Sequence, residues 1–146
     1  MKLEISNQIF FTEVERLIAE GECVTIAIKG NSMRPWLKDG QHKVVLMPLM
    51  RQLQVGDVAL FRYKQGHILH RAIEISGEKV IFAGDGNINL REEATKDDIV
   101  AIVKSVISPR RRVICCTSRE WRVKSKIWLC LPQIVRRVIL AIGRRL

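Results

Sequence analysis

Between residues 23 and 107 the chain is a succession of short β-rich runs broken by tight polar turns, and this rhythm constrains the fold more than any other feature. Across residues 23–29, Val24, Ile26 and Ile28 alternate with Thr25, Ala27 and Lys29, the period of a strand with one buried face. Further runs of strand character cover residues 43–47, 57–63, 68–76, 79–83 and 99–107. Lys64-Gln65-Gly66 and Ser76-Gly77-Glu78 divide consecutive runs as hairpin turns do, and Gly84-Asp85-Gly86-Asn87 is another turn-forming cluster. One amphipathic helix precedes the strands. Over residues 7–20, Phe10, Val14, Leu17 and Ile18 fall at i, i+4, i+7 and i+8, and Gly21 supplies the stop. Many short strands behind a single helix predict a mainly β fold: one coiled or barrel-like antiparallel domain.

A chain of 146 residues, 47% of them apolar, has enough material for one such domain with a proper core. The net charge of +10 first suggests an anionic partner, but the excess is not spread evenly. Residues 1–109 carry 14 basic and 14 acidic side chains, whereas residues 110–146 carry 11 basic ones and a single acid, Glu120. The expected organisation is therefore a neutral β-domain over 1–109 and a basic tail over 110–146. In the tail, Thr117-Ser118-Arg119-Glu120 has capping-box character, and Pro132 should break or restart the helix. Beyond it Ile134, Val135, Val138, Ile139 and Ile142 line one face, with Arg136, Arg137, Arg144 and Arg145 elsewhere. Such a basic amphipathic segment, with Trp121 and Trp128 upstream, suits an anionic membrane surface contacted through residues 118–146. The bland alternative is that its tryptophans and aliphatic side chains pack on the body. Nucleic acid fits less well, because the arginines alternate with aliphatic residues rather than with stacking aromatics.

Cys23, Cys115, Cys116 and Cys130 show neither CxxC spacing nor a dense framework, so free thiols are expected in place of zinc ligands or disulfides. That favours a reducing compartment. Residues 1–11 lack a basic region followed by a long apolar run, and Glu13, Glu15, Glu20 and Glu22 follow closely, so no secretory signal is expected. No stretch reaches about 18 uninterrupted apolar residues, the length a spanning helix needs. Attachment at the cytoplasmic face of a membrane, without crossing it, is the expectation that joins these observations.

The segments with chemical potential are Gly30-Asn31-Ser32-Met33-Arg34-Pro35, Val55-Gly56-Asp57-Val58, His70-Arg71 and Gly84-Asp85-Gly86-Asn87. A serine in a turn ordinarily serves the turn, and a histidine in a strand is ordinarily a satisfied structural group; order and spacing make the set informative. At these residues the chain resembles the signal-peptidase and repressor-cleavage serine peptidases, most closely the eukaryotic, archaeal and sporulation-type signal peptidases. The resemblance covers roughly residues 22–107. It implies Ser32 as nucleophile, in a Ser-Met-x-Pro box, and His70 as the general base before Arg71. The chemistry agrees: a serine hydroxyl needs an adjacent base during attack, and a neutral imidazole can serve near pH 7. A third group that orients the ring would be Asp85, the acid of the matched turn, with Glu92, Glu93, Asp97 and Asp98 competing. His42, His67, Lys79 and Lys104 fall outside the matched boxes, and strand alternation sends His67 to the face opposite His70.

Where many signal peptidases carry a hydroxyl residue two positions before the nucleophile, this chain has Gly30. The oxyanion would then depend on backbone N–H groups around Ser32 and on the Asn31 side chain. Met33 and the 24–28 strand, through Ile26 and Ile28, would line a shallow apolar cleft to which an extended substrate adds as a strand. No metal or cofactor is implied. The expected activity is endopeptidase cleavage of a peptide leader or a membrane-associated precursor; the rival is a non-catalytic peptide-binding module of the same fold.

Overall fold

The computed structural model describes residues 7–30, 32–87 and 89–145. Helix α1 (Asn7–Ala19) leads into eight strands: β1 (Val24–Ala27), β2 (Lys43–Met47), β3 (Val58–Tyr63), β4 (Gly66–Ser76), β5 (Lys79–Ala83), β6 (Glu92–Thr95), β7 (Ile99–Ile107) and β8 (Val113–Cys115). Helices α2 (Arg119–Cys130) and α3 (Gln133–Arg145) follow. Every strand pairing is antiparallel, in the order β1-β2-β7-β3-β4-β5-β6. The mainly β architecture expected from the alternating runs is present, with helices at both ends.

Local chemistry explains the boundaries. Gly21, at φ +87°, closes α1: its N–H donates to Ile18 and the Glu22 N–H to Leu17, satisfying carbonyls the last turn would leave unpaired. Two hairpins flank β4. In one, Tyr63 pairs with Gly66 around Lys64, whose φ is +54°; in the other, Ser76 pairs with Lys79 around Gly77 at +59°. Positive φ in two-residue turns matches the twist of the strands they join.

The core divides between the two faces of the sheet. On one, Val14 and Ile18 of α1 cover Ile26, Val44, Leu46, Leu60, Ala101 and Val103. On the other, Ala59, Phe61, Ala72, Val80, Phe82, Ala94 and Ile102 pack together, with Phe61 and Phe82 stacked 3.9 Å apart. Each fully buried aliphatic or aromatic side chain contributes about 1.5–3 kcal/mol of transfer free energy.

The boundary expected at 109/110 does not separate the packed parts. Strand β8 pairs with residues 105–107 of β7. Ile107 faces Lys43 of β2 on its other side, so β8 lies along the same edge of β7 that β3 occupies nearer its start. Ser118, rather than Thr117, caps α2 by accepting a bond from the Trp121 N–H. Trp121 and Trp128 are buried, Trp128 edge-on to Trp36 at 5.8 Å. They therefore belong to the body, as the packing alternative held, and do not face outward. Pro132 separates α2 from α3 as expected. The four cysteines are free; Cys23, Cys115 and Cys130 are exposed, while burial pushes the Cys116 thiol up to about 12. Among the described residues no helix is long and apolar enough to cross a membrane.

Candidate active site

Ser32 follows β1 in a compact turn whose next residue, Met33, is driven into the core at 2% exposure. The Leu37 N–H donates to the Met33 carbonyl, so the turn is wound helically after the serine. The Ser32 carbonyl accepts a 2.8 Å bond from the Gly86 N–H, which ties it to the loop after β5. His70 lies mid-strand in β4, paired with Ala59 of β3. Gly84 stands between the two: a Cβ there would collide with the Ser32 carbonyl oxygen and lie 2.8 Å from His70 Nε2. The Nε2 edge of the ring and the serine turn are thus neighbours, and only glycine fits between them.

The other ring nitrogen is taken. His70 Nδ1 is hydrogen-bonded to Glu92 Oε1, and both side chains are almost fully buried at 7% exposure. A carboxylate at Nδ1 selects the tautomer that carries its proton there, which leaves the Nε2 lone pair toward the serine turn. Asp85, expected first as the orienting acid, is engaged elsewhere. It accepts from Arg71 Nε at 2.8 Å and Arg71 Nη2 at 2.7 Å, with the arginine wholly buried. Adjacent strand residues point to opposite faces, so His70 and Arg71 require separate acids, and Glu92 and Asp85 serve one each. Of the other competing acids, Glu93 pairs with Lys79 on the exposed side, Asp97 is exposed, and Asp98 accepts from Thr95.

Arg71 also donates to the Gly56 carbonyl at 2.9 Å and to Ser125 Oγ of α2 at 2.7 Å, with Trp121 beside it. One buried guanidinium therefore joins the Gly56-Asp57 segment, the Gly84–Asn87 turn and α2. Asp57 itself turns outward to Arg51 at 2.8 and 2.9 Å. His67 lies on the α1 side, stacked on Phe11 at 4.8 Å and bonded to Glu15 at 2.9 Å; it lines the same cavity as His70, so alternation along β4 does not carry it away from the site as expected. His42 accepts from the Lys38 N–H within its own turn, and burial lowers its pKa.

Ser32 and His70 line a common cavity of about 670 Å³, walled by Phe10 and Phe11 of α1, residues 25–29, Met33, Leu60 and residues 67–69. Ile26, Ile28 and Met33 line it as expected, although each is at most 8% exposed. Because β1 ends the sheet order, the edge it does not share with β2 borders this space. Asn31 lies outside the described residues. Gly30, at φ +81°, donates its N–H to Asp39.

Sequence reasoning gave Glu92 no precedence, and missed Gly84 as the spacer and Ser125 as a partner of Arg71. The available signal was His70-Arg71 itself, two adjacent polar groups that need partners on opposite faces. No protein-family model and no curated protein matches this chain.

Proposed function

We propose that the chain is a serine endopeptidase of the signal-peptidase type, with Ser32 as nucleophile, His70 as general base and Glu92 as the group that orients the ring. The observation carrying this reading is His70 itself: Nδ1 held by a buried carboxylate, Nε2 facing the turn that bears a serine, both at one cavity. Ser32 Oγ would attack a peptide carbonyl while His70 Nε2 takes its proton. The imidazolium, stabilised by Glu92, then returns that proton to the leaving amine, and water releases the acyl group by the same route. The meeting of four separate sequence segments around His70, Arg71 and the Ser32 turn supports the family assignment and its coiled β-fold. An extended substrate would add to the edge of β1 with alternate side chains entering the cavity.

The substrate is a peptide leader or a membrane-associated precursor, met at the cytoplasmic face of a membrane to which the protein attaches peripherally. Support comes from the basic excess of residues 110–146 and the exposed apolar face of α3. The test compares protein N-termini in host cells that carry the native chain or a folded Ser32→Ala variant. Termini lost only in the variant, with precursors accumulating, are expected. Identical termini in both would overturn the peptidase and leave a peptide-binding module.

A further inference from the structure

The inner and outer sides of α3 meet different things. On the inner side Leu140 is 6% exposed, and Arg137 Nη2 donates to Asn89 Oδ1 at 2.8 Å. Leu140, Arg137 and Ala141 line, with Gly86, Asn87, Asn89 and Leu90, an open pocket of about 330 Å³. This is the loop whose Gly86 N–H binds the Ser32 carbonyl and whose Gly84 leaves no room for a side chain beside the His70 ring. On the outer side Ile134, Val138 and Ile142 are 71%, 54% and 57% exposed, at i, i+4 and i+8. Val123 and Ile127 of α2 are exposed as well.

Charge decides what covers this face. Glu120, the one acid beyond Pro109, is already shared by Arg112 at 3.2 Å and Lys124 at 3.0 Å. Arg119, Arg122 and Lys126 remain exposed on α2, the helix that carries Val123 and Ile127. Apolar side chains accompanied by exposed cations fit an anionic bilayer, where each basic group near the surface adds about 1 kcal/mol.

We infer that α3 is the element through which the membrane acts on the serine turn: its outer face docks on anionic lipid, and its inner face then holds the Asn89 loop, and with it Ser32, in place. This rests on the peripheral attachment proposed above and adds a coupling to it. Docking fixes α3, and whatever fixes α3 restricts the loop beneath it.

The experiment needs no substrate. The full chain is mixed with vesicles of phosphatidylglycerol and phosphatidylcholine, or of phosphatidylcholine alone; sedimentation reads binding and hydrogen exchange reads the Gly86 amide. Native protein is expected to bind only the anionic vesicles, and its Gly86 exchange to slow by about tenfold. Val138→Asp with Ile142→Asp should abolish both effects. Asn89→Ala, which leaves the tail unchanged, should keep binding and lose the slowing. No native binding would overturn both the peripheral attachment and the coupling. Binding with unchanged Gly86 exchange, or slowing that survives Asn89→Ala, would overturn the coupling alone. Binding that survives the double aspartate variant would overturn the apolar docking face.

Discussion

His70 and Arg71 are consecutive residues with opposite tasks. The histidine shares a cavity with Ser32 through one nitrogen, while the arginine is sealed among Asp85, Gly56, Ser125 and Trp121. Their acids should therefore fail differently. Glu92→Gln preserves shape but weakens the selection of tautomer and the hold on the imidazolium, so turnover should fall by about 10²-fold or more with little change in the melting temperature. Asp85→Asn leaves a buried guanidinium without its counter-charge and should cost about 3–5 kcal/mol of stability. Parallel kinetics and thermal melts distinguish the two; equal losses of stability would show that Glu92 is structural. That Ser32 and His70 share a cavity was legible because both stand in ordered motifs. Glu92 was not singled out, because ownership of the acids depends on which face each strand residue takes, and register across β4, β5 and β6 decides that.

Helix α1 and the β3–β4 hairpin are joined by a polar tie at the rim of the cavity. Glu15 accepts from Arg62 Nε at 2.7 Å and bonds His67. Partial burial works against the Glu15 carboxylate, but the bonds from Arg62 and His67 outweigh it and hold its pKa below the usual 4.5. A depressed carboxyl pKa stabilises the fold above the unfolded value and loses that contribution as pH falls through the folded one. The tie should therefore be intact at neutral pH and fade below about pH 4.5, contributing under about 1 kcal/mol because Arg62 is largely solvated. Thermal melts of native protein and Glu15→Gln should differ near pH 7 and converge in acid; curves that stay parallel would remove the tie. At this scale the sequence reading served best where alternation was strong: residues 43–47, 79–83 and 99–107 are strands with those bounds. It overlooked β6 and β8. Strand β6 reads Glu-Glu-Ala-Thr, and its inward Glu92 breaks the apolar pattern because it serves His70. Strand β8 has three residues in a basic stretch, and only its pairing with β7 defines it.

For the whole molecule, composition located the charge, but a change in charge need not coincide with a change in packing. The β7–β8 pairing, the bond from Arg71 to Ser125 and the buried Trp128 all cross the point where the charge changes. Meanwhile the connection between β7 and β8 is an exposed turn of three consecutive arginines, with Arg111 at φ +61°. Covalent continuity and structural continuity thus come apart at this point. Trypsin should cut there first under limiting conditions, and the two pieces should still elute together in gel filtration until denaturant is added; separation without denaturant would show that the interface is too weak to hold them. A chain so nicked would behave as a heterodimer of its own making, with Ser32 and His70 on one partner and α3 on the other.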